Sequence, residues 1–424
     1  MSINRKRLGA LLCVIAAGIA VASTAGAASQ SVPGVTNNSI TIGGTFPLSG
    51  PASLYATIAG AEQAYYGYVN ANGGVHGRQI NDIVLNDQYD PSQTPALVKQ
   101  LVEQDHVFAV VGSLGTAPAL ATWNYLNAHG VPQVELATGD SYWGQCGVNG
   151  QFKAVPGVCK TPKRWTTGWQ PDYPSEARQY AKYINAHKPN AQIGILRQDD
   201  AYGANYTNAF KAALAGTTNV VDTEQYDVTD SSGQISAHVA ALEQNGANTV
   251  VIFATPSASI TALATMGALS WNPLTFLNNV SANRVFLLSA ESHGATPDGV
   301  ISTTYVKNNS DSSLGHDIIY ATGNAGLEHE WDIGDNNLMY GLGVAYTFVD
   351  ALKHAGLNPT RGSLMKALRN LNETGNNANP FVYPGMAVKT NSLRTFPMEQ
   401  LTLQKWDGGT HNWTTVGGII NSGK

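Results

Sequence analysis

Cysteine and charge are both scarce in this chain. There are three cysteines in 424 residues, and charged side chains make up only 12%. Lysine and arginine (24) are outnumbered by aspartate and glutamate (29), and they form no basic stripe, so nucleic acid is excluded as a partner. No apolar run beyond the first thirty residues is long enough to span a membrane. The ten histidines are scattered, and Glu328-His329-Glu330 lacks the H-E-x-x-H spacing of a helical zinc site. No G-x-S-x-G nucleophile elbow occurs. These absences argue against an enzyme, a catalytic residue, a metal or a cofactor. The hydrophobic share of 43%, with abundant glycine, describes a folded chain with a weakly charged, hydrogen-bonding surface.

What the chain does have begins at its start. Arg5, Lys6 and Arg7 precede the apolar run Leu8–Ala22, and small residues follow to Ala27. A positive segment, a short apolar segment and an A-x-A site form an export signal, with cleavage expected after Ala27. Residues 1–27 are therefore a signal peptide, and the mature protein is periplasmic or secreted. Loss of the three cations leaves 21 against 29 acids, a net charge of −8. Cys13 leaves with the signal, and it is a poor lipidation site because it lies early in the apolar run behind Leu-Leu. Cys146 and Cys159 remain, and in an oxidising compartment this pair is expected to join. An unstrained loop of that size contributes roughly 2–4 kcal/mol.

Strand-like runs alternate with helical patterns along most of the chain. Ser39–Phe46 reads as a strand, Thr57–Ala71 as a helix stopped by Asn72-Gly73-Gly74, and Gln79–Asp87 as the next strand. The alternation continues to Leu136, breaks over Asp140–Gln170, and resumes from Ser175 to Leu277. Such alternation indicates parallel βαβ units, and two runs around a break indicate two α/β lobes. The tail differs: helices are expected at Asn336–Ala355 and Arg361–Leu371, then short strands.

The most informative local pattern is Val110–Pro118, an apolar strand running through a Gly-containing loop into a helix. Thr116 is expected at the N-cap and Pro118 in the first turn. The free N–H groups near Gly115 and the positive helix end can hold an anion without a cationic side chain. On its own, this pattern also describes an ordinary capped helix. Asp199-Asp200 reads as a loop end or a helix N-cap. Gly341 and Gly343 read as helix packing. Trp165, Trp169 and Tyr173 read as hinge packing or, alternatively, as a sugar platform.

Several motifs occur together: PLSG (Pro47–Gly50), GAEQA (Gly60–Ala64), NANGGVHGR (Asn70–Arg78), YDP (Tyr89–Pro91), VVGSLGT (Val111–Thr116) and DDAYG (Asp199–Gly203). With them the chain resembles the type I periplasmic solute-binding proteins, specifically the leucine/isoleucine/valine-type receptors of ABC importers, from about Ile40 to Trp413. The resemblance implies two Rossmann-like, doubly wound lobes joined by three crossover segments, near Arg164–Gly168, Ile301–Tyr305 and Val382–Gly385. Lobe 1 is then 36–165 plus 304–383, and lobe 2 is 166–303 plus 384–424. The ligand is expected between them.

By the same resemblance, Thr116 matches a hydroxyl that binds the ligand carboxylate. Ala137, Thr138 and Gly139 match a stretch that adds backbone and hydroxyl contacts, although Gly139 stands where relatives have a hydroxyl residue. Tyr55 and Tyr202 match aromatic lining residues from the two lobes; read alone, each is also compatible with a surface loop. Thr255 and Asn279 lie at the second lobe's strand ends. Relatives that bind α-amino acids carry an acid after the strand ending at Leu277, whereas this chain reads Asn278-Asn279-Val280-Ser281. A buried ammonium group requires a carboxylate partner, which Asp140, Glu291 or Glu330 would have to supply. The expected function is capture of a small carboxylate-bearing solute (an amino acid or a related organic or aromatic acid or amide), by hinge closure, for an ABC permease and its ATPase subunits. The protein is expected to act as a monomer. The alternative is an extracytoplasmic ligand sensor.

Overall fold

The computed structural model describes residues 32–146, 154–323, 326–391 and 396–422. The signal segment, its cleavage point and Cys13 lie outside the described residues.

Five strands form the first sheet: β1 (Ser39–Phe46), β2 (Gln79–Asn86), β3 (Val110–Val111), β4 (Gln133–Leu136) and β5 (Thr166–Gly168), in the order β2-β1-β3-β4-β5. All neighbours are parallel, with β1 and β2 in register from Ser39↔Gln79 to Phe46↔Asn86. The second sheet holds β6 (Gln192–Gln198), β7 (Asn219–Tyr226), β8 (Thr249–Phe253), β9 (Leu274–Leu277) and β10 (Ile301–Thr304). A two-stranded sheet pairs β11 (Asn372–Glu373) with β12 (Val388–Lys389). The hairpin β13 (Gln400–Asp407) and β14 (Asn412–Asn421) then extends the second sheet antiparallel to β10. The sequence of β8, TVVIF, is buried at all five positions, as a strand covered on both faces requires.

In each sheet the chain reverses its direction of growth once, between β1 and β3 in the first and between β6 and β8 in the second. Loops leaving the strand ends at such a reversal diverge and leave a crevice. The segments after β1, β3, β6, β8 and β9 meet around one cavity between the sheets.

The passages between sheets differ from expectation. Thr166–Gly168 pairs with β4, so the first passage begins beyond Gly168 and lobe 2 does not start at 166. Ile301–Thr304 is a strand of the second sheet, and the chain leaves it at Tyr305. There Val306 bridges Val382, Lys307 N–H donates to Phe381 O at 3.0 Å, and Tyr383 N–H donates to Tyr305 O at 2.8 Å. The second and third passages are thus joined antiparallel. After them the chain stays with the first lobe longer than expected, because Met386, Val388 and Met398 belong to its core. The boundary at 384 therefore moves to the approach of β13.

At the first passage Trp169 is fully buried, donates Nε1–H to Thr347 Oγ1 at 3.0 Å and meets Tyr340 edge-on at 5.0 Å. It is packing, not a platform. Gly341 and Gly343 let Ile58 and Trp169 approach their helix, and Asp200 caps helix Ala201–Ala213 through Gly203 N–H. Cys146 and Cys159 form a disulfide with Cα atoms 6.2 Å apart, packed with Trp123 and Trp143.

Candidate functional site

The cavity between the sheets has about 750 Å³ of space among its lining atoms, part of it open to solvent. Of the nine binding residues expected from the sequence, Tyr55, Gly115, Ala137, Tyr202, Thr255 and Asn279 line it. Tyr55 and Tyr202 are 6% and 3% exposed, so neither is a surface tyrosine. Thr116, Thr138 and Gly139 stand behind the wall.

The wall on the first-lobe side is built around helix Thr116–Ala128. Gly115 holds the cap position with φ +105°, and an added Cβ would lie 2.6 Å from the Tyr89 ring. Thr116 is the first helical residue and makes no cap bond, so its expected N-cap role is corrected. The backbone turns one residue earlier, at the glycine, and the Thr116 hydroxyl turns instead to Thr138 Oγ1, 2.6 Å away. Tyr173 completes this chain of hydroxyls by donating to Thr138 Oγ1 at 3.2 Å, and it is the member of the chain that lines the cavity. Its ring explains Gly139, where a Cβ would sit 2.8 Å from ring carbons and 2.7 Å from Pro171 O. The Tyr173 hydroxyl thus arrives beside Thr138 from the start of helix Tyr173–His187.

On the other side, Tyr202 accepts from Asn278 Nδ2 and meets Tyr173 edge-on at 5.2 Å. Thr255 is held by Tyr226, whose hydroxyl accepts from Thr255 N–H at 2.9 Å and lies 3.1 Å from its Oγ1. Asn279 N–H donates to Glu176 Oε1 at 2.6 Å. Glu176 is 5% exposed, and it also accepts from Tyr180 and, at 2.6 Å, from Tyr206. Burial raises its pKa, against the opposing pull of these hydrogen bonds. Its oxygens are engaged by protein donors.

Among the described residues, the lining contains no Asp, Glu, Lys, Arg or His side chain. Asp140 is buried with one oxygen accepting Tyr142 N–H, and burial pushes its pKa to about 7. Glu291 is held by Trp406 and His411. Neither they nor Glu330 reach the cavity wall.

Six tyrosines do reach it: Tyr55, Tyr89, Tyr173, Tyr202, Tyr305 and Tyr340. Burial raises the pKa of every one, so they face the cavity as neutral hydroxyls on apolar rings. Tyr89, Tyr173, Tyr305 and Tyr340 were not anticipated, and neither were Gln170, Asn283, Asn336 and Asn337. The YDP motif and the segment around Tyr173 carried a signal for two of them. Tyr305 and Tyr340 gather only through the passages between lobes.

Residues 39–410 match the periplasmic binding protein family. The chain belongs to this family. Its relatives include a Leu/Ile/Val-binding protein homolog 3 of Brucella melitensis, 28% identical over 55% of this chain and 57% of the relative. A Leu/Ile/Val-binding protein homolog 7 of Brucella abortus is 24% identical over 70% of this chain and 66% of the relative. The matches thus span less than two thirds of those proteins' own lengths.

Among solved structures, a branched chain amino acid ABC transporter protein from Thermus thermophilus with bound valine superposes with a TM-score of 0.77 at 16% identity, covering 92% of this chain and 98% of that one. A fatty acid ABC transporter substrate-binding protein from Thermomonospora curvata gives 0.71 at 18%, covering 93% and 95%. A solute binding protein from R. palustris in complex with 4-hydroxybenzoate gives 0.70 at 16%, covering 91% and 97%. These likenesses fix the fold as that of type I periplasmic binding proteins. The family is one of substrate-binding proteins, and its members work outside the cytoplasm. Among the described residues of this binding protein, no helix is long and apolar enough to cross a membrane, and no group of acids, histidines or cysteines is arranged to hold a metal.

Proposed function

We propose that this binding protein is the solute-capturing component of an ABC importer, exported by its first 27 residues and cleaved near Ala27. It takes a small solute that carries a carboxylate on a neutral body, aromatic or amide-bearing in preference to zwitterionic, and presents it to a membrane permease with its ATPase subunits. The carrying observation is the uncharged wall: among the described residues it holds six tyrosines with asparagines, glutamines and threonines, and no acid to balance an ammonium group. A carboxylate needs no cation where a helix N-terminus supplies N–H donors, and Gly115 sets that end of helix Thr116–Ala128 at the wall. The ligand types named for the structural neighbours, valine, fatty acid and 4-hydroxybenzoate, share a carboxyl group. Tyr55, Tyr202, Thr255 and Asn279 would hold the body of the solute, and Tyr173 would share the polar end.

A thermal-shift screen of the mature protein against amino acids, aromatic acids and small amides tests this reading. Saturable stabilisation by an acid such as 4-hydroxybenzoate, without turnover, is expected. Conversion of the solute to product, or stabilisation by no carboxylate, would contradict it.

A further inference from the structure

One carboxylate sits at the rim of the cavity, behind residues that line it. Asp335 is 3% exposed and precedes helix Asn337–His354. Its Oδ2 accepts from Thr57 Oγ1 at 2.9 Å, and its Oδ1 accepts from Asn337 N–H at 2.9 Å and from Asn283 Nδ2. Thr57 begins the helix Thr57–Ala71, so two of the three donors mark starts of helices packed in the first lobe's core. The third donor belongs to the other lobe, since Asn283 follows β9 and caps helix Arg284–Ser292 through Val285 N–H at 3.2 Å.

Both ends of the Asn283 amide are committed. Its NH2 group faces Asp335, while its oxygen accepts Asn336 N–H at 3.3 Å. The next residue repeats the bridge, with Arg284 Nη1 donating to Ile333 O at 2.7 Å. Asn283, Asn336 and Asn337 all line the cavity. Other hydrogen bonds between the lobes, among them Ser257 Oγ to Pro51 O, Asn205 with Ser141 and Tyr173 with Thr138, use neutral groups. A bond to an ionised, buried acceptor is shorter and stronger than a neutral one.

We propose that Asp335 is a positioning residue for solute capture: it locks the Asn283 amide of one lobe onto the helix starts of the other, so that this part of the cavity wall is complete only when the lobes meet. This rests on the solute-capture reading above. A lobe-to-lobe contact of this kind lowers the cost of the closed arrangement, which the solute then favours through the contacts it makes only there.

An exchange of partners tests it. Asn283→Asp sets two carboxylates face to face. Asp335→Asn keeps every heavy-atom position but leaves a neutral bond. The double exchange, Asn283→Asp with Asp335→Asn, restores a carboxylate–amide pair with its roles reversed, although the Asn337 N–H then loses its acceptor, and aspartate still serves as a helix cap. Small-angle scattering, with and without saturating 4-hydroxybenzoate or 4-methylpentanoate, reads closure, and calorimetry with the same probes reads affinity. Asn283→Asp is expected to give a more open profile and to bind about ten- to a hundredfold more weakly. Asp335→Asn should lose about tenfold, and the double exchange should bind more tightly than Asn283→Asp and recover part of the wild-type affinity. Wild-type scattering and affinity in Asn283→Asp, or a double exchange no better than that single change, would overturn the proposal. If the wild type binds neither probe, the carboxylate reading of the cavity fails, while the scattering of Asn283→Asp against the double exchange still decides the role of Asp335.

Discussion

Two buried glutamates, one behind each wall of the cavity, are handled in opposite ways. Glu176, behind the second-lobe wall, is met by Tyr180, Tyr206 and the N–H of Asn279. Glu135, on β4 in the first sheet, is fully buried with φ +52°, and neither of its oxygens has a hydrogen-bond partner among the described residues. Burial, then the nearby Glu373 and Glu62, push the pKa of Glu135 well up. Both acids favour the protonated form through desolvation, but only Glu176 has donors that work for its ionised form. A buried carboxylate is thus tied into the structure by the donors that converge on it, and burial alone does not do that.

Removing each acid should therefore give unequal costs. Glu176→Leu leaves the Tyr206 hydroxyl and the Asn279 N–H without an acceptor, while Tyr180 keeps Leu277 O at 2.8 Å; at about 1–3 kcal/mol for each unpaired group it should destabilise by about 2–5 kcal/mol. Glu135→Gln removes no hydrogen bond and should change stability by less than about 1 kcal/mol, or raise it. Urea midpoints at constant m-value measure both, and equal losses would break the comparison.

The pH dependence of stability follows next in size. Burial raises Glu373 to about 8, Asp140 to about 7 and Asp335 to about 6, and each is at most 3% exposed. A group whose folded pKa lies above its unfolded value holds extra protons in the native state, so its stabilisation is complete below about 4 and is lost as pH rises through the folded value. The melting temperature is therefore expected to be higher at pH 5.5 than at pH 8.5, and Glu373→Gln should flatten the upper part of the curve. A melting temperature that rises over this range would contradict the assignment.

The smallest effect concerns the first-lobe hydroxyl chain. Thr116 bonds Thr138 and does not line the cavity. Thr116→Ala should therefore weaken binding of a carboxylate probe by about tenfold or less, the worth of a neutral hydrogen bond. A hundredfold loss by calorimetry would mean that Thr116 meets the solute directly.

The alternation of strands and helices was readable because its periods are clear and its stops are chemical. β1 and helix Thr57–Ala71 have the bounds read from the sequence, and Asn72-Gly73-Gly74 ends the helix where expected. Helices Arg284–Ser292, Ser313–Thr322 and Leu327–Ile333 were missed, since each is short and set among polar residues. Strand ends brought Tyr55, Gly115, Tyr202 and Thr255 to the cavity by local rules. Tyr173 escaped because its place depends on the missing side chain at Gly139, a contact between segments 34 residues apart. Asn283 and Asn336 meet only across the cleft, which no local pattern encodes.

The proposed preference of this cavity for a carboxylate over a zwitterion turns on the lack of an acidic partner for an ammonium group among the described lining residues. Leucine and 4-methylpentanoate share a carbon skeleton and a carboxylate and differ only in the amino group, so titrating both into the mature protein by calorimetry isolates that group. The uncharged wall predicts tighter binding of 4-methylpentanoate, because leucine would desolvate its ammonium group without a carboxylate partner. Leucine binding tenfold more tightly than its des-amino counterpart would contradict the account.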